Sequence, residues 1–460
     1  MSRLAALRDS ALFKTALLFF LLMLLCIPLA QIEWLIAERG DSQRMATSEL
    51  AQTHVGSQTL VGPLLVVPYV ERWQVAVRNE RGEQTGLEPR SELRYQLFFP
   101  QQLELDGTLM PEDRYRGIFK VPFYKLDGKL SGRFAPFAMQ QLAQQVKGSE
   151  IEVLTPVLAL SVTDLRGLEG APRLTLADER LGFGRRVPHV PPKSWLASGV
   201  HAPLSGAALR AFQGGQPLPF ALALRLTGQN QLAVAPLGEE TSARLASPWP
   251  HPRFGGRFLA AERTVTNAGF DARWRIAALT SQAREQVRTG LEGDIDSVET
   301  FDVALAQPVN VYSMSERAVK YGVLFIGLVL MAVFMVELFK RLPLHPVQYA
   351  LVGLSIAVFF LLLVALSEKI GFALAYAAAT AASVALLASY FSAVLDSAAR
   401  GLSLAGYVAT LYGALYGLLV SESNALLLGA LLVFGMLAAL MLATRHVDWW
   451  RMGRRDAAGG

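Results

Sequence analysis

The sequence has little with which to cross-link itself or to bind a metal. Cys26 is the only cysteine among 460 residues, so no disulfide forms within the chain and each folded region depends on its own core. The six histidines are scattered along the chain: His54, His189, His201, His251, His345 and His446. The motifs H-E-x-x-H, G-x-x-x-x-G-K-[ST] and S-x-x-K are absent, as are paired cysteine ligands. We therefore predict no metal, no cofactor and no catalytic activity.

Charge is also scarce. Charged residues make up 18% of the chain, below the roughly 25% of soluble domains. From Tyr321 to Thr444 only eight occur, all at or near the ends of apolar runs: Glu337, Lys340, Arg341, Glu368, Lys369, Asp396, Arg400 and Glu422. The centres of these runs therefore lack the ionisable residues that mark ion pathways, and Glu337, beside Lys340, is interpreted as paired or snorkelling. The net charge of +5 is dispersed, which argues against nucleic acid as a partner.

Long apolar runs, by contrast, are abundant. One covers Ala16 to Ile36, and five more lie between Tyr321 and Thr444. Because about 20 apolar residues span a bilayer as a helix, we predict six transmembrane helices and the lipid bilayer as a partner. The predicted division is a tail and anchor over 1–36, an aqueous domain over 37–316, a five-helix bundle over 317–444 and a tail over 445–460.

The loops between the runs predict the orientation. Cytoplasmic loops of membrane proteins retain an excess of Lys and Arg. The basic residues cluster at both termini and in alternate turns: Arg3, Arg8, Lys14, Lys340, Arg341, Arg400, Arg445, Arg451, Arg454 and Arg455. We therefore predict that both termini are cytoplasmic and that the long insert lies on the outer side, with Trp34 and the Trp449-Trp450 pair at the interfaces.

Two features mark where the chain leaves and re-enters the membrane. The first run has a basic start like a signal peptide, but no small-x-small cleavage pattern follows it, so we interpret it as an uncleaved signal anchor. Its polar continuation through Leu50 has helical character. Before the second run, Ser313-Met314-Ser315-Glu316 fits a capping box, which predicts a helix start there.

The aqueous insert is predicted to be mainly antiparallel β-structure. Phe270–Ile276 and Phe220–Leu226 alternate apolar and polar residues, the pattern of half-buried strands. Weaker strand candidates and turn signals follow: Tyr95-Gln96-Leu97, Val157–Val162, Asp106-Gly107, Asp127-Gly128 and Asn267-Ala268-Gly269. The segment 137–146 is predicted to be helical. The Pro- and Gly-rich stretch 182–215 lacks periodicity and is interpreted as a divide between two β-subdomains.

Two groups of residues are candidates for a ligand or partner surface. In the first, Trp249, His251, Arg253 and Phe254 combine aromatic rings with arginine, which suits stacking on a sugar or a lipid headgroup. A structural corner that bridges two strands is the favoured alternative for this group. The second is the pair Asp164 and Arg166; such a pair more often holds a turn, and an exposed one contributes little.

Several longer motifs resemble the CreD inner-membrane protein family. They occur in order along the whole chain: Gly56–Tyr69, Ser161–Gly167, Ser247–Leu259, Leu344–Ser355 and Ala365–Phe372. One departure is Val55, where the family pattern has an aromatic residue before the glycine. The resemblance implies a bacterial inner-membrane protein associated with cell-envelope integrity and, in some bacteria, with a carbon-source-responsive two-component regulon. It implies no catalytic residue and no ligand.

We therefore predict a non-enzymatic inner-membrane protein that supports envelope integrity or the envelope-stress response through its periplasmic domain. An envelope protein, a lipid or a glycan is the expected partner of that domain. The main alternative is a transporter or lipid-handling protein that uses the helical bundle. An undetected hydrolase, with His251, Asp164 and Arg166 as the residues to replace, comes third.

Overall fold

The chain forms two compact units. The computed structural model describes residues 11–78, 84–306, 310–340, 344–421 and 425–445. One unit consists of Met1–Arg44 with Val309–Gly460, and the other of Met45–Pro308. We call them the helical unit and the β-rich unit. Several residues of the orientation prediction lie outside the described residues: Arg3, Arg8, Arg341, Glu422, Trp449, Trp450, Arg451, Arg454 and Arg455.

The described residues contain nine α-helices. In chain order they are α1 Ala11–Thr53, α2 Gly206–Gln213, α3 Ala283–Thr289, α4 Val311–Lys320, α5 Gly322–Lys340, α6 Pro346–Ile370, α7 Phe372–Val394, α8 Ala398–Val420 and α9 Ala425–Thr444. The helix predicted to continue the first apolar run is confirmed, because α1 extends past Leu50 to Thr53.

Membrane-length helices are present in the part of the chain that the structure describes. Four helices are long and apolar enough to span a bilayer: α1, α6, α7 and α8. The pair α4 and α5 also qualifies when it is taken as one span with a bend of 44°. The last predicted run forms α9, and six membrane crossings stay a prediction.

The capping box predicted at Ser313–Glu316 is wrong. Helix α4 begins two residues earlier, at Val311, and its N-cap is Asn310. The side-chain oxygen of Asn310 accepts a hydrogen bond from the backbone N–H of Tyr312 at 3.0 Å, the bond that an N-cap supplies. The motif therefore lies inside the helix.

The described residues of the β-rich unit form seventeen strands in two mixed sheets. The strands are β1 Gln58–Arg78, β2 Gln84–Phe98, β3 Gln102–Arg116, β4 Phe119–Phe134, β5 Glu150–Val153, β6 Val157–Val162, β7 Arg173–Leu176, β8 Glu179–Leu181, β9 Gly184–Arg185, β10 Val200–Pro203, β11 Leu218–Gln229, β12 Gln231–Val234, β13 Glu240–Ser247, β14 Pro252–Gly256, β15 Glu262–Thr266, β16 Gly269–Ala277 and β17 Phe301–Leu305. The nine-stranded sheet has the order β14-β17-β12-β1-β6-β10-β9, with β2 and β5 also paired to β1. The eight-stranded sheet has the order β15-β16-β13-β3-β4-β11-β7-β8.

Most of the strand pairs are antiparallel, but β1 with β12 and β3 with β13 are parallel. The chain passes from one sheet to the other between β11 and β12. Asn230, with φ of 59°, is the single residue between them, and Asn tolerates this left-handed conformation better than most residues.

The predicted strand alternation is confirmed in β16. Phe270, Ala272, Trp274 and Ile276 are buried, whereas Arg273 and Arg275 are exposed. Side chains of both sheets contribute to one continuous hydrophobic core. The packing of two sheets against each other explains why each strand of this kind has one apolar face.

The turns predicted at Asp106-Gly107 and Asp127-Gly128 are wrong, because both glycines lie within strands. Gly107 and Gly128 lie opposite each other inside the β3–β4 ladder. A Cβ atom on Gly107 would come within 2.8 Å of Leu126 Cδ1 and 2.9 Å of Leu245 Cδ2. Glycine is therefore present to make room for two leucines. The third predicted turn is confirmed, between the end of β15 at Thr266 and the start of β16 at Gly269.

One longer segment also differs from the expectation, and the predicted divide at 182–215 stays a prediction. Residues 137–146 contain only a 3₁₀ turn over Met139–Gln141, so the predicted helix is wrong; side chains from neighbouring strands bind the rest of the segment. Residues 182–215 contribute β9, β10 and α2, together with buried side chains of the core: Val187, Val190, Leu196, Val200, Leu204, Ala208 and Phe212.

Candidate functional site

The Asp164–Arg166 pair holds the end of a helix. Arg166 Nη2 lies 2.6 Å from Asp164 Oδ2, and its Nε lies 3.0 Å from the same oxygen. Arg166 Nη1 donates to the backbone carbonyl of Gln52 at 2.8 Å, one residue before α1 ends. A cation at a helix C-terminus satisfies carbonyls that lack a partner in the helix. Hydrogen bonds from Arg166 outweigh partial burial and hold the pKa of Asp164 below its ordinary value.

The same place joins two of the segments that carry the family resemblance. Gln58 Nε2 donates to the carbonyl oxygen of Asp164 at 2.9 Å, and the N–H of Asp164 donates to Gln58 Oε1 at 3.1 Å. Next to them, the N–H of Thr59 donates to Thr163 Oγ1 at 3.0 Å. This reciprocal bonding is that of a structural junction, which accounts for the residues of both segments without a ligand.

The Trp249 group forms a corner at the edge of the nine-stranded sheet. Trp249 Nε1 donates to the carbonyl oxygens of His251 at 3.1 Å and Ala306 at 3.0 Å. The ring of Phe254, on β14, meets Phe270 edge-on at a centroid distance of 5.6 Å and Trp274 at 5.9 Å. These contacts support the structural corner that was the favoured alternative.

The other two members of the group point outward. The side chains of His251 and Arg253 are exposed. Desolvation raises the pKa of the buried Asp302, and the positive charge of Arg253 opposes that rise. Arg253 therefore has an electrostatic partner on the neighbouring strand β17, while His251 contributes its backbone to the corner.

The structure does not bring the two candidate groups together. Trp249 precedes β14, whereas Asp164 follows β6. These strands are four places apart in the sheet order, about 19 Å at the usual strand spacing. The hydrolase alternative would combine His251, Asp164 and Arg166. These residues instead belong to two separate structural contacts, the corner at Trp249 and the helix-end junction.

A buried carboxylate that sequence reasoning missed lies on β1. Glu71 is 0% exposed. Its Oε1 accepts hydrogen bonds from the N–H of Gln145 at 2.9 Å, the N–H of Val146 at 2.8 Å and the hydroxyl of Ser149 at 2.6 Å. Its Oε2 lies 2.8 Å from Arg94 Nε on β2. The hydroxyl of Ser149 and the N–H of Val146 lower the pKa of Glu71 against the opposing effect of burial.

Two further side chains bind the same loop. The hydroxyl of Tyr69 donates to the carbonyl oxygen of Ala143 at 2.8 Å. Gln96 Oε1 accepts from the N–H of Ala143 at 2.9 Å, and Gln96 Nε2 donates to the carbonyl oxygen of Gln141 at 2.7 Å. The irregular segment 141–149 is therefore held by strand side chains rather than by backbone pairing.

Beside this segment the β-rich unit has a cleft of about 460 Å³. It is lined by Phe137, Met139, Val153, Leu154, Thr155, Pro156, Leu209, Phe212, Gln213, Gly214 and Gly215. The rings of Phe137 and Phe212 stack at a centroid distance of 4.2 Å. The cleft thus has an aromatic wall on one side and the edge strand β5 on the other.

Val153, the last residue of β5, lines the cleft. The N–H of Leu154 donates to the carbonyl oxygen of Pro68 on β1 at 2.9 Å. Because antiparallel residues alternate between bonding their partner and pointing away from it, the N–H and C=O of Val153 point away from β1. Within the described residues, β5 pairs with β1 alone. The cleft therefore offers both an apolar wall and an open strand edge.

Polar groups in the helical unit bind one another. Glu337 is 4% exposed, accepts a hydrogen bond from the hydroxyl of Tyr349 and lies 2.6 Å from Lys14 Nζ. The hydroxyl of Tyr376 donates to the carbonyl oxygen of Tyr412 at 2.7 Å. Across both units, no group of three His, Cys, Asp or Glu residues suited to a metal occurs in the described part of the chain.

Apolar helices of membrane length, together with a large mixed β-sheet unit, define an integral membrane protein. A model of the family described as inner membrane protein CreD matches residues 10–450. The chain is 33% identical over 444 residues to the inner membrane protein CreD of Escherichia coli (strain K12), which covers 96% of this chain and 95% of that relative. The chain belongs to the CreD family of inner membrane proteins.

A likeness among solved structures is much weaker. A two-domain M1 zinc metallopeptidase bound to L-arginine matches 39% of this chain and 39% of its own chain, at 9% identity and a TM-score of 0.20. A score this low carries no argument about fold or function.

Proposed function

We propose that this CreD-family protein supports envelope integrity by binding an extended segment of an envelope protein in the cleft beside β5. The β-rich unit would then be periplasmic and both termini cytoplasmic, with six membrane-spanning helices, as the distribution of Lys and Arg in the loops favours. The single observation that carries the proposal is the open edge of β5 at an aromatic-walled cleft.

The chemistry of the cleft favours an extended polypeptide. A strand that adds to a sheet edge gains main-chain hydrogen bonds, and its alternate side chains enter adjoining pockets. Val153 supplies the outward N–H and C=O, and Phe137, Phe212 and Leu209 supply the apolar surface. Natural proteins usually cover or charge exposed strand edges, and an edge kept open beside an aromatic wall suits a partner.

The cleft is held in shape by the bonds to the neighbouring segment. Glu71 fixes the backbone of Gln145 and Val146 just before β5 begins. Tyr69 and Gln96 fix Ala143. A pre-formed site costs less ordering entropy when a ligand binds, so these buried bonds serve the proposed function through the position of β5.

The test uses a photo-crosslinking amino acid in the full-length protein in cells. Met139, 47% exposed at the cleft, is the test position, and Val265, 49% exposed on the edge strand β15, is the matched control. We expect a discrete adduct at position 139 whose partner peptide, identified by mass spectrometry, is an extended segment of an envelope protein. The adduct should disappear in Val153→Pro, which removes the outward N–H.

A second variant guards against misfolding. Leu209→Asp changes the α2 side of the cleft without altering any strand. Equal adducts at positions 139 and 265, or an adduct that survives both variants, would contradict the proposal.

The transport alternative predicts the opposite pattern. Tyr412→Phe or Ser383→Ala in the helical unit would then remove the envelope phenotype, and the cleft variants would keep it. Alkaline phosphatase fused after Val265 tests the orientation separately.

A further inference from the structure

The outward face of the eight-stranded sheet divides into two halves with different charge arrangements. On β3, β13 and β16 the cations have carboxylate partners, among them Glu262 of β15. Arg244 Nη2 lies 2.5 Å from Asp271 Oδ2, and Arg273 Nη1 lies 3.6 Å from Glu262 Oε2. Arg275 Nη2 lies 3.4 Å from the other oxygen of Glu262. This half is neutralised locally.

On β4, β11, β7 and β8 four exposed cations stand without such partners. They are Lys129, Arg133, Arg173 and Arg180, which we call the basic patch. In the described part of the chain, none of the four has a carboxylate within 4.0 Å. Asp106 is the direct cross-strand neighbour of Lys129, but it lies 3.7 Å from Arg244 Nη1 on the other side.

The strand register places the basic patch on one surface. Lys129 lies opposite Ala223 of β11, which lies opposite Arg173 of β7. Arg133 lies opposite Pro219 of β11, and Arg180 of β8 lies opposite Thr175 of β7. The first half of the middle strand presents the small outward residues Pro219, Ala221 and Ala223, so the four cations border an open strip there, which ends at Arg225 with its partner Asp127.

The distances between the cations of the basic patch suit a polymer with several anionic groups rather than a single small anion. Lys129 and Arg173 are two strand steps apart, about 10 Å, and Lys129 and Arg133 are about 13 Å apart along β4. One phosphate cannot contact all of them. An extended polymer that lies along β11 can present a separate anionic group to each cation.

The surface also argues against insertion into a bilayer. Within the described residues, β4, β7, β8 and β11 carry none of the exposed large apolar side chains. A membrane-inserting surface needs apolar residues as well as cations. Arginine forks match phosphate oxygens in a bidentate manner. We propose that the basic patch binds a phosphate-bearing glycan strand, independently of what occupies the cleft.

The test compares two triple variants of the full chain in nanodiscs of zwitterionic lipid. Lys129→Gln, Arg133→Gln and Arg173→Gln together alter the basic patch. Arg244→Gln, Arg273→Gln and Arg275→Gln together remove the same charge from the paired half of the same face. The probe is fluorescent phosphorylated dextran, with unmodified dextran as its control, and binding is followed by anisotropy.

We expect the patch variant to weaken binding at least about tenfold and to lower the slope of log K against log salt by about 2, since each phosphate neutralised on a single-stranded polyanion contributes about 0.7 to that slope. The paired-half variant should change binding less than about threefold. A circular dichroism melt of each variant checks that it folds.

Three outcomes would overturn the proposal. The first is an equal loss in both triple variants, which would show a response to net charge alone. The second is the absence of binding to phosphorylated dextran by the unaltered protein. The third is binding to vesicles of anionic lipid with no binding to the dextran, which would assign the basic patch to a membrane surface.

Discussion

The β-rich unit and the helical unit each bury a glutamate, but with different partners. In the β-rich unit, Glu71 accepts two backbone N–H groups and a serine hydroxyl from one loop. In the helical unit, Glu337 binds the side chains of Lys14 and Tyr349, which come from two other helices. One carboxylate holds irregular backbone in place, and the other links helices.

The difference follows from how helices and loops form the hydrogen bonds of their backbone N–H and C=O groups. A helix bonds its own N–H and C=O groups along its length, so Glu337 finds its partners among the side chains of other helices. A loop against a sheet has unpaired backbone groups that must find partners. Buried polar side chains of the β-rich unit therefore determine the loop conformation, and with it the shape of the cleft.

The largest expected effect is the loss of the link between helices. Glu337→Ala removes one side of a buried ion pair, for which destabilisation of about 3–5 kcal/mol is typical. We expect the lower end, about 3 kcal/mol, because Lys14 is 32% exposed and regains some hydration. Thermal unfolding in detergent measures it. Glu337→Gln, which can still accept from Tyr349, should recover part of the loss; equal destabilisation by both variants would contradict the pairing.

The loop carboxylate should give a local effect with a distinct pH dependence. Glu71→Gln should raise the hydrogen-exchange rates of the Gln145 and Val146 amides by at least about tenfold, since their bonds to a charged acceptor are weakened. The Val67 amide on the same strand, remote from the loop, serves as the internal control. Uniform acceleration across the β-rich unit would mean global destabilisation instead.

The sign of the pH effect follows from the lowered pKa of Glu71. The unfolded chain binds the proton more readily than the folded one, so the stabilisation is complete above the ordinary glutamate pKa. It is lost as the pH falls through the lower folded pKa. The stability difference between the unaltered protein and Glu71→Gln should therefore be constant near neutral pH and narrow under acid conditions. A difference that widens with acid would exclude this role.

The helix-end junction should contribute less. Arg166→Ala leaves the carbonyl of Gln52 without its cation and Asp164 without its ion pair. We expect a loss of stability smaller than that of Glu337→Ala, as for a helix-terminus interaction, measured by urea unfolding. Arg166→Lys should retain the charge but not the fork geometry, and full recovery by lysine would show that charge alone matters.

The smallest effect is expected for an exposed pair. Lys125 Nζ lies 3.0 Å from Glu112 Oε2, and both side chains are exposed by more than a third. Lys125→Ala should change the unfolding free energy by about 0.5 kcal/mol or less. A loss as large as that of Arg166→Ala would remove the distinction between the helix-end junction and an ordinary surface ion pair.

Much of the fold was readable from local pattern. The alternation over Phe270–Ile276 predicted β16 because a sheet with one buried face requires it, and length and hydropathy predicted α1, α6, α7 and α8. Where local rules failed, distant residues were the cause. Gly107 resembled a turn residue, but Leu126 and Leu245 require its missing side chain.

The candidate site was less predictable. Trp249, Phe254 and the Asp164–Arg166 pair were noticed by composition, and the structure gives them packing and capping contacts. Glu71 gave only a weak local signal, because its acceptor role depends on backbone groups 74 and 75 residues away. A charged residue within the apolar β1 run was the one clue in the sequence.

The sequence by itself determined which segments are apolar for the length of a membrane helix, which strands have one buried face, and to which family the chain belongs. These properties depend on neighbouring residues and on side-chain period. Only the tertiary structure decided that Lys14 meets Glu337, 323 residues away. It also decided that, among the residues the structure describes, β5 has an unpaired edge and four cations of one sheet face have no carboxylate nearby. Such features depend on strand register and chain crossing, which bring distant residues together and leave no periodic trace in the sequence.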